Sequence, residues 1–278
     1  MYLRAIHAES SIAYLHQLIR DNPLGIFTTA IQSPAHPLLQ TSHIPFVLDV
    51  PESLPPVTDA AAAAATAEPT THLGTLRGHM AKQNPQAKAL MEALAAHQAA
   101  SNSSGALELP DEVLVLFNGP HHHYVTPKFY TETKPATGKV VPTWNYSAAQ
   151  VYGRVRVYCD SKADATGAYL QRQVEDLSRE AETRIMGYEK PWAVADAPVN
   201  YVELLKKNII GIEIRIERLQ GKVKMSQEMG KGDREGVIRG FEALGGETGL
   251  GVAGTVRERA ELMELKKKER VGAREGEV

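Results

Sequence analysis

The sequence predicts an α+β protein dominated by β-structure, with an antiparallel β-barrel and peripheral helices. Six or seven segments read as strands, and most are joined by short returns. They do not alternate regularly with helices, which argues against a parallel doubly wound sheet. Residues 151–158 (VYGRVRVY) and 209–219 (IIGIEIRIERL) alternate apolar with charged side chains, the pattern of strands with one buried face.

The N-terminal elements are defined by capping and turn residues. Ser10 and Ser11 are candidate N-caps of a helix that ends near residue 22. Residues 24–31 predict a buried strand, and residues 38–50 its antiparallel return, with Pro45 at an edge or bulge. Strand character resumes over residues 71–79. A helix is predicted to open at residues 84–85 (NP), with proline in its first turn, and to run to about residue 100.

The next elements surround the most informative stretch of the chain, residues 140–146. Residues 112–118 predict a short strand, residues 121–126 continue extended, and residues 127–130 predict a helical turn. After the alternating strand 151–158, Ser161 is the candidate cap of a helix to about residue 186, in which Gly167 is a candidate break.

The C-terminal third is predicted to hold two strand segments and three helices. The predicted elements are a helix at 198–207, a strand at 209–219 continued by 221–227, a helix at 233–244, a flexible segment at 245–254 and a charged helix at 255–270.

One domain is predicted over residues 1–244, followed by a flexible linker and charged helix over residues 245–278. Residues 51–70, rich in alanine and proline, and about 99–109, rich in polar residues, read as loop insertions.

The composition is that of an ordinary globular protein. The 278 residues are 43% hydrophobic and 23% charged, and the formal net charge is −2. That balance gives no support to a nucleic-acid surface, which would carry a basic excess. The single cysteine, Cys159, cannot form an internal disulfide and indicates a reducing compartment. No secretory signal and no run of roughly 18 apolar residues is visible. We therefore expect a cytoplasmic protein without membrane contact, and a nuclear location stays open.

Residues 141–146 (VPTWNY) combine a rigid proline, a hydroxyl, an indole and a carboxamide. Flat apolar surface beside directed donors and acceptors suits a planar ligand with polar edges. The alternative is a buried tryptophan that closes the barrel end, with the asparagine in a turn.

Residues 78–85 (GHMAKQNP) offer a second candidate site, because a cation and polar side chains precede a helix N-terminus that favours anions. The alternative is a plain capping loop with Lys82 solvated. Lys224 and Ser226 share a strand face and form either a site wall or a protected sheet edge.

The remaining polar clusters have simpler interpretations. Arg154 and Arg156 predict a solvated strand face, and residues 266–268 (KKK) a helix terminus. The three consecutive histidines at 121–123 cannot converge on one ion within a strand, so we predict no metal site. Cys159 is predicted to be inert. No Walker A loop, dinucleotide-binding glycine motif or nucleophile elbow is present.

Several stretches together resemble the PaiB-type FMN-binding family of negative transcriptional regulators. The most specific is VPTWNY at 141–146, followed by VYG at 151–153. The others are the N-terminus with its first helix, TSHIP at 41–45, GHMAKQNP at 78–85, FNGPH at 117–121, YVTP at 124–127 with Tyr130, KMSQ at 224–227 and DREGVI at 233–238.

The resemblance implies a split β-barrel like that of pyridoxamine-phosphate oxidases, and a homodimer with FMN at the subunit interface. It implies that Ser42, His43, His79, Lys82 and Asn84 hold the phosphate and ribityl chain. It also implies that the isoalloxazine ring is bordered by Thr143, Trp144, Asn145 and Tyr146, with Lys224 and Gln227 closing the pocket. No catalytic residue is identified.

The chain departs from the family pattern in four ways. The first is the presence of the two loop insertions at residues 51–70 and about 99–109. Lys82 stands where the family pattern has arginine, which keeps the charge but loses the bidentate fork. The histidine run is one residue longer, and EMG at 228–230 replaces Asn-Arg-Pro.

Three functions follow from the resemblance. The first is an FMN-binding regulator or flavin-linked sensor. The second is an FMN-dependent oxidoreductase that uses NAD(P)H or a small molecule. The third is a haem-binding protein on the same barrel. The charge balance does not support direct DNA binding, and the sequence leaves enzymatic activity open.

Overall fold

The computed structural model describes residues 1–51, 73–101 and 107–275. The predicted insertions at 51–70 and about 99–109 therefore lie largely or partly outside the described residues. The chain divides into two compact units. Unit 1 contains Met1–Glu9, Asn118–Ala148 and the chain from Gln220 onward, and unit 2 contains Ser10–Phe117 and Ala149–Leu219. The domain boundary at residue 244 stays a prediction.

The described residues form nine strands and seven α-helices. The strands are β1 (Ala8–Glu9), β2 (Leu24–Ala30), β3 (Leu39–Pro45), β4 (Val47–Asp49), β5 (Thr75–Ala81), β6 (Glu108–Asn118), β7 (His123–Val125), β8 (Thr143–Tyr158) and β9 (Ile209–Lys224). The helices are α1 (Ile12–Asp21), α2 (Pro85–Ser101), α3 (Thr133–Thr137), α4 (Asp164–Glu180), α5 (Val199–Lys206), α6 (Lys231–Leu244) and α7 (Gly246–Glu275). Short 3₁₀ turns lie at Pro127–Phe129 and Val194–Asp196, and a π-turn at Ala181–Ile185.

The sheet of unit 2 has the order β3-β2-β6-β8-β9-β5-β4. Strands β2 and β3, β4 and β5, and β5 and β9 pair antiparallel. The terminal strands β3 and β4 belong to one extended segment, interrupted only at Phe46. The first half of this segment pairs with β2, and its second half pairs with β5. The same segment therefore supplies both terminal strands of the sheet. The predicted antiparallel split barrel with peripheral helices is confirmed, as is the irregularity beside Pro45.

The core of unit 2 confirms the alternation read from the sequence. The apolar side chains of β9 at Ile210, Ile212, Ile214 and Ile216 are fully buried on one face. The rings of Phe27, Phe46 and Phe117 pack edge to face with centroids 6.0 to 6.5 Å apart. Burial of such side chains supplies roughly 1.5–3 kcal/mol each toward folding.

One buried arginine joins two elements of unit 2. Arg77 on β5 donates to Asp49 of β4 at 2.6 Å and to Asp176 of α4 at 2.6 Å. Because both carboxylates face the same buried guanidinium, the loss of either one would leave Arg77 with a single counter-charge and would weaken the link between these elements.

Unit 1 contains two short strand pairs and a helix pair. Strand β7 pairs with the start of β8, and β1 pairs with the end of β9. Helix α7 packs on α6 through Val252, Ala253 and Val256, which are buried.

Several local predictions are confirmed. Ser11 caps α1, because its Oγ accepts from the backbone N–H of Tyr14 at 3.2 Å. The predicted strands and helices correspond to observed elements with shifted ends. Arg154 and Arg156 lie on an exposed face, paired with Glu217 and Glu213.

Three local predictions are wrong. Helix α4 begins after Ala163 and has no side-chain cap at Ser161. It also passes through Gly167 without a break. The segment 245–254 is not flexible, because α7 begins at Gly246. No helix in the described part of the chain is long and apolar enough to cross a membrane.

Candidate functional site

The predicted site residues fall into two clusters, one in each unit. The first is the β3–β5 cluster of unit 2, which comprises Ser42, His43, His79, Lys82 and Asn84. The second is the β8–β9 cluster of unit 1, which comprises Thr143, Trp144, Asn145, Tyr146, Lys224 and Gln227. Each cluster is described by itself below.

Asn84 organises the β3–β5 cluster because it both caps a helix and contacts a strand. Its Oδ1 accepts from the backbone N–H of Gln86 at 2.9 Å, which satisfies one free donor at the start of α2. Its Nδ2 donates to Ser42 Oγ at 3.0 Å. Pro85 follows at the first helical position, as the sequence predicts. The structure therefore brings Ser42 of β3 to the N-terminus of α2.

Three buried polar atoms in this region have no hydrogen-bond partner among the described residues. They are Nδ1 of His79 on β5, Nε2 of Gln40 on β3 and Oε1 of Gln86 in α2. Burial lowers the pKa of His79, so its imidazole is neutral near pH 7. An unpaired buried polar atom costs about 1–3 kcal/mol, which a ligand with polar atoms could recover.

Gln40 is a candidate that the sequence reasoning missed. Gln40 and Ser42 share a face of β3 because they are two residues apart, and both are half-buried. That spacing was the available signal. His43 lies on the opposite face and is exposed, so β3 does not direct Ser42 and His43 to one point.

Lys82 supplies the positive charge of the β3–β5 cluster. Its backbone N–H donates to Asn208 O at 2.9 Å, which fixes the chain between β5 and α2. Among the described residues, no hydrogen bond of its ammonium group is found, and the side chain is half-buried. A cation beside the N-terminus of a helix is suited to an anionic group.

Trp144 is the exposed aromatic of the β8–β9 cluster. It lies opposite Tyr124 of β7, and the two rings meet edge to face at 6.2 Å. Trp144 is 54% exposed and Tyr124 41%, although both carry large apolar surfaces. The predicted alternative of a buried tryptophan plug is therefore wrong, and the pair forms an open aromatic surface.

Lys224 is held against the start of β8. Its ammonium group donates to Thr143 Oγ1 and to the carbonyl oxygen of Trp144, the latter at 3.0 Å. Burial lowers the pKa of Lys224, an effect that the nearby Glu228 opposes. The ammonium group therefore contacts the backbone of Trp144, and its charged form is partly desolvated.

The two carboxamides of the β8–β9 cluster are occupied by internal contacts. Asn145 is fully buried, and its Nδ2 donates to Ser226 Oγ at 3.1 Å. Ser226 has a positive φ of 60°, an uncommon conformation for a residue with a side chain. Gln227 donates to Val223 O at 2.6 Å and accepts from the backbone N–H of Met225. These contacts shape the turn after β9.

A hydrogen bond between His7 and Glu228 follows this turn, where the chain departs from the family pattern. His7, which is 3% exposed, contacts Glu228 Oε2 through Nε2 at 2.9 Å. Burial alone would raise the pKa of Glu228, but the His7 hydrogen bond holds that pKa below its usual range. The residues are 221 positions apart, so no local pattern could have indicated this contact.

Two of the three histidines at 121–123 make separate contacts. His123 Nδ1 donates to the Tyr124 carbonyl at 2.8 Å, and its ring packs on Phe241. The His121 ring lies against Gly251, where an added Cβ would come within 2.2 Å of its Nδ1. No group of three side chains able to hold a metal ion is found within residues 1–51, 73–101 and 107–275.

The residues present fit a flavin mononucleotide in chemical type. The β3–β5 cluster offers a cation, a helix N-terminus and unpartnered polar atoms, which suit a phosphate and a polyol. The β8–β9 cluster offers an exposed indole and a lysine, which suit a planar ring with polar edges.

The chain is thus an antiparallel-sheet protein whose β3–β5 cluster suits an anionic group and whose β8–β9 cluster suits a planar ring. The sequence profile of the family described as "Putative FMN-binding domain" matches residues 1–218, and the chain belongs to this family. The predicted family resemblance is thereby confirmed.

Three relatives extend this match. A protein of Aspergillus fumigatus is 69% identical over 271 residues, covering 96% of this chain and 100% of that protein. A protein of Emericella nidulans is 67% identical over 266 residues, with 96% and 100% covered. The Bacillus subtilis protease synthase and sporulation protein PAI 2 is 28% identical over 203 residues, covering 70% of this chain and 75% of that protein. The last match supports the PaiB-type resemblance.

Proposed function

We propose that this chain binds FMN and acts as a PaiB-like regulator or flavin-linked sensor. The observation that carries the flavin assignment is the β3–β5 cluster, where Asn84 joins Ser42 to the N-terminus of α2 and His79 Nδ1 is left without a partner. A buried nitrogen without a hydrogen-bond partner is unfavourable in the free protein, and a bound polar ligand would supply the missing hydrogen bond.

The phosphate of FMN is assigned to the β3–β5 cluster. At pH 7 a phosphate carries nearly two negative charges. Lys82 supplies one positive charge, and the first backbone N–H groups of α2 supply a favourable dipole. Ser42 Oγ and Nδ1 of the neutral His79 add hydrogen-bonding groups. The replacement of the family's arginine by Lys82 keeps the charge but loses the fork, so we expect affinity to depend strongly on salt.

Contact between the isoalloxazine ring and the β8–β9 cluster is a second part of the proposal. It is supported by the exposure of Trp144 and by Lys224, which donates to the backbone carbonyl oxygen of Trp144. When bound, the flavin would supply electron transfer, and the protein would orient the ring and limit its access to water. A homodimer with FMN at the subunit interface is proposed on the family resemblance.

The first test is a visible spectrum of the purified protein, followed by FMN titration monitored by flavin fluorescence. We expect flavin bands and a saturable titration. In Lys82→Met the Kd should rise about 10- to 100-fold, the equivalent of one charge-assisted hydrogen bond. Lys162→Met, which removes an exposed lysine of the same unit, should leave the Kd within about twofold. A Soret band, or absence of any flavin binding, would refute the proposal in favour of haem or no cofactor.

An oxidoreductase is the second candidate function, and Lys224 is the observation that favours it. An ammonium group whose pKa is lowered by burial is a plausible proton donor at a redox site. Stopped-flow mixing of the flavin-loaded protein with NADH and NADPH separates the two functions. Rapid flavin bleaching that slows in Lys224→Met supports the enzyme. No bleaching, together with retention on promoter DNA, supports the regulator.

A further inference from the structure

The segment between α4 and β9 exposes an unusual amount of apolar surface in unit 2. Eight large hydrophobic side chains within residues 185–205 are between 47 and 74% exposed. Four lie in the turn after α4, namely Ile185, Met186, Tyr188 and Trp192. Single exposed hydrophobic residues need no explanation, but a concentrated set indicates a contact surface. We call residues 182–207 the α4–β9 segment.

The first half of this segment is fixed by backbone contacts. The π-turn Ala181–Ile185 closes through Met186 N–H to Ala181 O at 3.0 Å. The Tyr188 N–H donates to Glu182 O at 3.0 Å, and the Trp192 N–H donates to Glu182 Oε2 at 3.0 Å. The exposed side chains are therefore presented by an ordered turn.

The second half of the segment is helix α5. Tyr201, Leu204 and Leu205 are three and four residues apart, so they share one helix face, and all three are exposed. Lys206 Nζ donates to Gln171 Oε1 of α4 at 2.7 Å, and α5 packs against α4. The apolar face is thus turned away from the element that holds the helix.

The size of this surface matches one side of a standard protein interface. Three of the eight residues are aromatic, with roughly 150–250 Å² of surface each, and all eight are about half exposed, so their summed exposed area is on the order of 800 Å². A stable interface buries about 800 Å² per partner and is enriched in aromatic residues and methionine. The α4–β9 segment meets both criteria.

The charges of the segment fit a second copy of the same chain. Residues 182–207 contain four acidic and four basic side chains, so the surface carries no net charge. In a two-fold interface a patch faces itself, and a strongly charged patch would repel its copy. We propose that the α4–β9 segment is a self-association surface of this protein. This proposal does not rest on flavin binding.

The test is the mass in solution by sedimentation velocity across a concentration range, for wild type, Leu204→Glu and the matched control Leu250→Glu. Leu204 and Leu250 are exposed helix leucines of nearly equal exposure, 57% and 56%. We expect wild type to be an oligomer of the 30.4 kDa chain. Leu204→Glu should shift the protein toward the next smaller species and raise the dissociation constant of self-association by at least about tenfold. Leu250→Glu should match wild type.

Three outcomes would overturn the proposal: a monomeric wild type, a Leu204→Glu protein with wild-type mass, or equal dissociation by Leu250→Glu. Circular dichroism verifies that the variants are folded. If Leu204→Glu does not fold, Val199→Lys provides the same test, because Val199 is 74% exposed and opens α5. FMN titration of the same samples keeps the failure of flavin binding distinguishable from the failure of self-association.

Discussion

Asn84→Asp separates a structural role of the β3–β5 cluster from a binding role. In the wild-type protein Oδ1 caps α2 through Gln86, and Nδ2 donates to Ser42. An aspartate retains the capping oxygen, and the Ser42 hydroxyl can rotate to donate to the second carboxylate oxygen. A negative charge at a helix N-terminus stabilises it by about 0.3–1 kcal/mol. We therefore expect the unfolding free energy to stay within about 1 kcal/mol of wild type.

The same substitution should strongly weaken FMN binding. At an assumed separation of about 5 Å and an effective dielectric constant of about 20, two unit charges interact by roughly 3 kcal/mol. Solvent and salt reduce this, so a loss of about 1.5–3 kcal/mol is reasonable, or roughly 10- to 150-fold in Kd. The assays are FMN fluorescence titration at low salt and urea unfolding of the same protein.

Asn84→Ala is the matched comparison. It loses the cap, worth about 1 kcal/mol, and the Ser42 contact, worth about 1 kcal/mol, but adds no charge. Alanine should thus destabilise the fold more than aspartate, whereas aspartate should weaken FMN binding more than alanine. If Asn84→Asp binds FMN as tightly as wild type, the phosphate does not bind beside Asn84, and the reasoning fails.

Three further predictions follow from single contacts. Trp144→Ala should weaken FMN binding about tenfold in the same titration, and Trp144→Phe should retain most of the affinity. Asp233→Asn should lower the unfolding free energy in urea by about 2–4 kcal/mol, because the buried carboxylate accepts from Thr133 and from two backbone N–H groups. Burial would raise the pKa of Asp233, but these hydrogen bonds hold it below its usual range. The carboxylate therefore contributes its full stabilisation above about pH 4, and this contribution is lost as the pH falls through the pKa of the folded state. Gly153→Ala should unfold at markedly lower temperature in calorimetry, because an added Cβ would lie 2.0 Å from the Arg215 carbonyl oxygen.

The fold was largely predictable because one buried face leaves a period of two in the sequence. Residues 209–219 show this period, and the isoleucines of β9 are buried as expected. Strand β8 was harder to delimit. It begins at Thr143, directly after Pro142, and it includes Asn145, a poor strand former that is paired with His123 of β7.

Helix α7 shows where propensity misleads. Residues 245–254 contain five glycines, each costing about 1 kcal/mol in a helix interior, and this composition predicts a flexible segment. Tertiary packing outweighs that cost. Val252 is buried, and an added Cβ at Gly249 would lie 2.7 Å from the Phe241 carbonyl oxygen. Gly249 and Gly251 allow α7 to approach its neighbours closely, which no local pattern could show.

For the candidate site, the sequence indicates positions but does not indicate which side chains are buried and which are exposed. Asn145 and Trp144 are neighbours in the same motif, yet one is fully buried and the other is the exposed aromatic. Gln227 and Lys224 differ in a similar way, since the Gln227 amide contacts backbone groups of its own turn, whereas the Lys224 ammonium contacts the Thr143 hydroxyl and the Trp144 carbonyl oxygen at the start of β8. The buried carboxamides hold the turn and the strand that present the exposed groups. Substitution of Asn145 should therefore reduce stability first, and any loss of flavin binding should follow from that.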